Sequence, residues 1–307
     1  MSGAGPDAPT RRRSGGGRPR DLSRPPAPEP LPLPVVDAHC HLDIAERSAE
    51  GDGADGADGG WWPVDAALAA SAAVGVPRVV QVGCDRPGAR WAVACASSYD
   101  AVVAAVAMHP NEAPLLAARG ELDDALAEVD ELAAHPRVRA VGETGLDRYR
   151  TGPEGAAAQE ESFRRHIDIA KRHGKPVMIH DRDAHDEVLR VLEEEGAPDA
   201  GVVFHCFSGD AAMARHCAER GWVMSFAGTV TFKNAEPLRE ALRVAPRELL
   251  LVETDAPYLT PTPHRGRPNA SYLVPLTVRA MADVRGDDLE ELCAALAATS
   301  ERVFGDW

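Results

Sequence analysis

Two histidines separated by one residue, His39 and His41, are the first pair in the chain whose types and spacing could do chemistry. Side chains alternate faces along an extended segment, so both imidazoles point one way and Cys40 points the other. Four later apolar runs close on groups of the same kind: Glu143 after Val138–Gly142, His180 after Pro176, His205 after Gly201, and Asp255 after Leu249–Thr254. A single strand-end histidine is usually a satisfied, partly buried side chain. Five strand ends that all offer imidazole or carboxylate are harder to assign to packing. These are ligands for zinc, manganese or iron, and with more oxygen for magnesium. One ion takes three or four protein ligands, so four histidines and two carboxylates point to two divalent ions (Mg, Mn or Zn). In two-metal hydrolases such ions sit ~3.5–4 Å apart. Glu143, from the middle of the set, is the expected bridge, and the chemistry is metal-assisted hydrolysis.

Such convergence needs a scaffold that brings distant strand ends to one mouth. Short runs rich in Val, Ile and Leu alternate with helical segments from Val35 onward. The runs are Val35–His41, Arg78–Cys84, Val102–His109, Val138–Gly142, Pro176–His180, Gly201–His205, Trp222–Phe226 and Leu249–Thr254. Helices are expected at Val64–Val74, Pro87–Ser98, Leu122–Ala134, Ala156–His173, Ala184–Glu195, Ala211–Arg220, Ala235–Val244, Tyr272–Val284 and Asp288–Phe304. Continuous apolar strands in strict alternation with helices read as a parallel sheet buried on both faces. Eight such units favour an α/β fold closed as a TIM-type (β/α)8 barrel of metal-dependent hydrolase type, with working residues at the C-terminal strand ends. An open doubly wound sheet is the alternative, but no glycine-rich phosphate loop follows the first run.

The barrel is expected over residues 35–307 as one domain. Residues 1–34, mostly Pro, Gly, Ala and Arg, read as a disordered leader, and Gly51–Gly60 as a mobile loop. The arginines at 11–13 precede no apolar stretch, which argues against an export signal, and no run approaches a membrane span. The six cysteines show no metal-type spacing and suit reduced core residues of a cytoplasmic protein. A net charge of -15 argues against a generally basic binder of nucleic acid. It does not exclude a nuclease, since bound cations bring positive charge to the phosphate. His135, His166, His173, His185 and His216 fall in or beside expected helices and read as outer-shell residues. His109, in Met108-His109-Pro110-Asn111, belongs to the mouth as a substrate contact or a partner of the ligands.

Val36-Asp37-Ala38-His39-Cys40-His41-Leu42-Asp43, Val141-Gly142-Glu143-Thr144-Gly145-Leu146-Asp147 and Val252-Glu253-Thr254-Asp255-Ala256-Pro257-Tyr258-Leu259-Thr260 resemble the TatD family of metal-dependent deoxyribonucleases. So do Ile179-His180-Asp181-Arg182-Asp183-Ala184, Phe204-His205-Cys206-Phe207-Ser208-Gly209, Phe226–Asn234 and Arg265-Gly266-Arg267-Pro268-Asn269. The resemblance runs from about Val35 to Phe304 with all motifs in family order. It implies a barrel of the amidohydrolase superfamily, with metal ligands at His39, His41, Glu143, His180, His205 and Asp255. In this family the fourth-strand glutamate, here Glu143, takes the place of a modified lysine. The chain departs from the pattern at Arg148, where an aromatic residue is common, and at Asn111, where a second histidine is common. Both departures are expected to touch the substrate rim.

The expected reaction is hydrolysis of DNA phosphodiesters, from a 3′ end by family analogy. The acidic charge favours single-stranded ends over duplex. Asp255 is expected to orient the attacking water and accept its proton. Arg182, Lys233, Arg265 and Arg267 are candidate phosphate clamps, Arg182 and Arg265 foremost. A monomer is expected, with no membrane partner. The rivals are hydrolysis of another ester or amide, such as an aminoacyl ester or small phosphoester, a non-catalytic nucleic-acid-binding barrel, and a metal-storing protein.

Overall fold

The computed structural model describes residues 23–47 and 62–307. The segments 1–22 and 48–61, which include most of the expected leader and the Gly51–Gly60 loop, lie outside the described residues. Eight strands follow one another: β1 (Val36–Cys40), β2 (Arg78–Gly83), β3 (Val102–Val106), β4 (Val138–Asp147), β5 (Val177–Arg182), β6 (Val202–Phe204), β7 (Val223–Phe226) and β8 (Leu250–Val252). Each pairs in parallel with the next, in the order β1 to β8. A bridge between Cys40 and Ala256 brings the last strand back to the first, with His41 N donating to Ala256 O at 2.8 Å and Asp255 N to His39 O at 2.9 Å. Parallel strands need crossovers, and here the crossovers are helices that cover the outer faces of the strands. The result is the (β/α)8 barrel that the alternation predicts.

The helices are α1 (Leu42–Arg47), α2 (Val64–Ala72), α3 (Arg86–Ser98), α4 (Ala113–Arg119), α5 (Leu122–Ala133), α6 (Ala156–Arg172), α7 (His185–Glu195), α8 (Ala211–Glu219), α9 (Glu236–Val244), α10 (Val274–Arg285) and α11 (Leu289–Phe304). Sequence periodicity does not reveal α1 and α4. At six and seven residues neither completes enough turns for an apolar stripe to repeat. Asp85, Asp210 and Asp288 cap α3, α8 and α11, accepting backbone N–H bonds that the first turn leaves unpaired.

Asp37 adds a side-chain tie at the closure. It is fully buried, and its carboxylate accepts from Thr254 N at 2.9 Å and Thr254 Oγ1 at 2.6 Å, tying the last strand end to the first.

The expected disorder of residues 1–34 does not hold for the described part of that segment. Leu31 is buried in the main core, and Leu31 N donates to Val74 O at 3.1 Å. Tyr272 Oη donates to Pro25 O at 2.6 Å, Arg279 to Pro30 O at 3.0 Å, and the Arg24 guanidinium lies 4.3 Å above the Trp62 ring. The composition is poor in apolar groups, yet one leucine and a row of carbonyls suffice to strap an extended segment to the barrel. A chain beginning at Val35 is therefore expected to lose roughly 2–4 kcal/mol of stability through the exposed leucine site and the lost hydrogen bonds. Thermal melting checks this, and an unchanged midpoint would show that the strap contributes nothing.

Candidate active site

The strand ends deliver the candidate ligands to one point because two of the strands depart from regular register. Between β4 and β5, Gly142 pairs with Met178 and Thr144 with Ile179, so Glu143 occupies a bulge with no partner of its own. A similar irregularity between Asp37 and Cys40 falls at His39. Bulges re-aim side chains and commonly lie beside active sites. Glycine is required around Glu143 by the close approach of β5. A Cβ at Gly142 would meet Met178 Cβ at 2.4 Å, and one at Gly145 would meet His180 O at 2.1 Å.

Glu143 is the centre, nearly buried, and its two oxygens face different partners. On the Oε1 side, His39 Nε2 lies 3.4 Å away and His41 Nε2 3.6 Å away. The same two nitrogens are 3.2 Å from each other, and 3.8 and 3.4 Å from Asp255 Oδ1. A four-coordinate cation with bonds of about 2.0–2.2 Å holds its ligand atoms roughly 3.4 Å apart. His39, His41 and Asp255 are spaced close to what such an ion requires, and Glu143 Oε1 lies at a similar distance from both imidazoles. On the Oε2 side lie His180 Nδ1 at 2.9 Å, His205 Nε2 at 3.2 Å and His109 Nε2 at 3.7 Å. Imidazoles and carboxylates so gathered fit divalent metal ions, and the six residues expected as ligands are all brought together here.

Partners behind the ligands set which nitrogen is free. His41 Nδ1 donates to Val82 O at 3.0 Å, which leaves a lone pair on Nε2 facing Glu143 and Asp255. His205 Nδ1 lies 2.8 Å from Oε1 of the fully buried Glu253, which also accepts from Cys206 N at 2.8 Å. His180 Nε2 lies 3.4 Å from Asp147 Oδ2, leaving Nδ1 for Glu143. Burial alone would raise the Glu143 carboxyl, but the surrounding imidazoles of His205, His109 and His39 hold it well below the ordinary carboxylate range. It is therefore an anion at neutral pH.

His109 differs from the ligand histidines. Asn111 N donates to its Nδ1 at 3.0 Å, so the proton sits on Nε2 and points toward Glu143. Burial pushes its pKa down to about 4, so it stays neutral. A neutral N–H aimed into the mouth suits contact with substrate oxygen better than ligation.

The mouth is a cavity of about 460 Å³ lined by these donors, except the fully buried His39, together with Arg150, Arg182, Asn111 and Tyr258. Arg182 is thus where the sequence places it. Arg265 is not among the lining residues, and its guanidinium lies 3.9 Å above the Phe232 ring. Arg267 is turned to the N-terminal strap, donating to Ser23 O at 2.9 Å. Arg148 is also turned away from the rim, forming a bidentate pair with Glu187 at 2.9 Å through both contacts. Asn111 does line the mouth and donates to Asp147 Oδ2 at 3.1 Å, supporting the residue behind His180. All the cysteines are free, but Cys84 is not simply a core residue. It lines the cavity, with Sγ 3.3 Å from Glu143 Oε1.

Sequence reasoning passes over Arg150, Glu253, Asp147 and His166. Strand alternation offers a signal for two of them, because 253 shares a face with 255 and 147 with 143. His166 is expected on the outer shell and is instead fully buried. It stands on the inner face of α6 with Phe163, Ile167 and Ala170, and that spacing was the available signal. Its Nδ1 donates to Ser162 O at 2.7 Å, and its Nε2 accepts from Met108 N at 3.1 Å, beside His109. Burial lowers its pKa to about 4 against an ordinary value of 6.5. The unfolded chain therefore takes up this proton first. Stability is unaffected above pH 6.5 and falls by roughly 3 kcal/mol as pH drops from 6.5 to 4. In melting curves across that window, His166→Gln is expected to show a shallower loss than the parent chain. Equal slopes would sink the assignment.

The chain matches the TatD-related DNase family profile over residues 36–305. It is 49% identical over 275 residues to the uncharacterized metal-dependent hydrolase TatD of Mycobacterium tuberculosis, covering 88% of this chain and 98% of that one. It is 35% identical over 270 residues to the uncharacterized metal-dependent hydrolase YabD of Bacillus subtilis, with the same two coverages of 88% and 98%. Among solved structures it resembles the TatD homologue YjjV of Escherichia coli K12, with a TM-score of 0.77 and 25% identity over 88% of this chain and 97% of that one. Among the described residues, no helix is long and apolar enough to cross a membrane. With its barrel, its strand-end donors and these relatives, the chain belongs to the TatD family of metal-dependent hydrolases.

Proposed function

We propose that the chain is a deoxyribonuclease of the cytoplasm that hydrolyses DNA phosphodiesters, acting as a monomer on single-stranded 3′ ends. The observation that carries this reading is Glu143, whose two oxygens each face a separate set of imidazoles at the floor of a cavity that also holds two arginines. His39, His41, Asp255 and Glu143 Oε1 would hold one divalent cation, and His180, His205 and Glu143 Oε2 a second. Bound there, Mg, Mn or Zn ions supply Lewis-acid stabilisation of a phosphoryl oxygen and make the attacking water more acidic.

The chain's own groups do the rest. Asp255 has the most exposed carboxylate of the donor set, at 15%, and is placed to accept the proton of the attacking water. Arg150 and Arg182 line the cavity and offer forked N–H groups to the non-bridging phosphate oxygens. His109 adds a neutral N–H beside them. The family profile's description as TatD-related DNase supports the substrate class. A net charge of -15 disfavours tracking along duplex and suits capture of a flexible end at one cavity.

Incubation of 5′-labelled single-stranded DNA with the protein and Mg2+, Mn2+ or Zn2+ tests the proposal. Metal-dependent laddering from the 3′ end, absent after chelation, is the expected result. A folded, metal-loaded protein that leaves DNA intact would overturn DNA as the substrate and direct attention to other esters and amides.

A further inference from the structure

Three large apolar side chains are exposed among the described residues: Leu115, Tyr149 and Tyr258. Tyr258 belongs to the cavity lining, and Tyr149 is joined to that lining through Arg182. Tyr258 follows β8, lines the cavity while 53% exposed, and its ring centroid is 6.4 Å from that of His41. Tyr149 follows β4 and is 65% exposed. The guanidinium of Arg182, at the end of β5 and in the cavity lining, lies 4.0 Å over its ring. In a closed ring of eight strands, β8 stands across from β4. The two aromatic groups therefore stand on loops that follow opposite strands of the barrel.

An exposed tyrosine is ordinary by itself. Two on loops after opposite strands, one lining a polar, charged cavity and the other stacked on an arginine of that lining, form a different arrangement. Aromatic rings and guanidinium planes are the surfaces on which unpaired bases stack, without regard to base identity. A phosphodiester seated at the donor set carries one nucleoside on each side of the phosphorus, and a ring beside His41 and a ring beside Arg182 offer one surface to each.

We propose that Tyr258 and the Tyr149–Arg182 stack form two nucleobase subsites that hold the nucleosides flanking the scissile phosphate. The proposal rests on the nuclease reading and deepens it. The site takes single-stranded nucleic acid because a base still in a duplex offers neither platform a free face. Stacking on Tyr149 also holds the planar guanidinium of Arg182 in place, leaving its N–H edge for the phosphate.

The test compares an oligodeoxynucleotide with one of equal length whose last two 3′ positions are abasic tetrahydrofuran units. First-cut kcat/KM is measured for the parent chain, Tyr258→Ala, Tyr149→Ala and Tyr258→Trp. Each stacked base is expected to contribute roughly 5- to 150-fold. The parent should therefore prefer the base-bearing strand by at least ~10-fold. Each alanine variant should lose most of that preference, and Tyr258→Trp should keep it. Metal content equal to the parent's shows that a variant has retained its fold. Cleavage of both strands at equal rates by the parent, or an undiminished preference in both alanine variants, overturns the subsites while leaving the nuclease standing. Turnover of bis(p-nitrophenyl) phosphate with no cleavage of either strand overturns the nuclease reading and the subsites together.

Discussion

Glu143→Gln is expected to lose bound metal and to lower turnover of single-stranded DNA by about 10³-fold or more. The Lewis-acid contribution of bound cations is several kcal/mol, and each 1.36 kcal/mol corresponds to a tenfold change in rate. The residue is 4% exposed, and each of its oxygens lies within 3.7 Å of imidazole nitrogens from at least two histidines. Glutamine keeps the shape but replaces one oxygen with an NH2 group, a donor where a ligand atom is needed. It also removes the negative charge that the surrounding imidazoles and a bound cation face. The failure is thus electrostatic and local, and the fold should survive it, since Glu143 takes no part in the register between β4 and β5. Metal analysis after dialysis, beside kcat on labelled DNA, checks the expectation. Retention of full metal content with activity within tenfold of the parent would remove Glu143 from the centre of the site.

Much of this arrangement can be read in the sequence because barrel chemistry is written at strand ends. His39 and His41 follow from two-residue alternation, and the eight apolar runs place every other ligand at the same mouth. What could not be read is of three physical kinds. Bulges at His39 and Glu143 are register events between strands, and no local pattern announces them. Partners that act through another side chain look ordinary in sequence. His166 reads as a helix surface histidine until the packing of α6 turns it inward. Arginines are ambiguous by nature, since a long side chain can reach solvent, a carboxylate or a carbonyl. Arg182 reaches the cavity, Arg265 stacks on Phe232, Arg267 serves the strap, and Arg148 is taken by Glu187.

Arg148 and Asn111 are both committed to carboxylates. Arg148 is committed to Glu187, and the exposed aromatic side chain of this loop is Tyr149, one residue further on. Asn111 keeps a polar group at the end of β3 but spends it on Asp147, whose carboxylate also accepts from Tyr149 N at 3.0 Å and Arg150 N at 2.7 Å. Asp147 therefore organises the loop carrying Tyr149 and Arg150 as well as the ring of His180. Burial opposes its charge, but the His180 contact and these N–H donors hold its carboxyl well below the usual range.

Asp255→Asn is expected to separate holding metal from moving a proton. Asp255 has a positive φ of 53°, a conformation uncommon outside glycine and Asn/Asp, and its peptide N–H is tied to His39 O at 2.9 Å. Asparagine tolerates the same backbone and can still present an oxygen to His41 and His39, so most of the bound metal should remain. It cannot accept a proton from the attacking water. General-base catalysis contributes about 10²–10⁴-fold, and the loss should appear in kcat with KM nearly unchanged if, as proposed, the arginines and His109 hold the substrate. Raising the pH should restore part of the rate, as hydroxide replaces the missing base. A fall in KM-linked terms alone, or a kcat within threefold of the parent at full metal content, would show that Asp255 is only a ligand and that another group takes the proton.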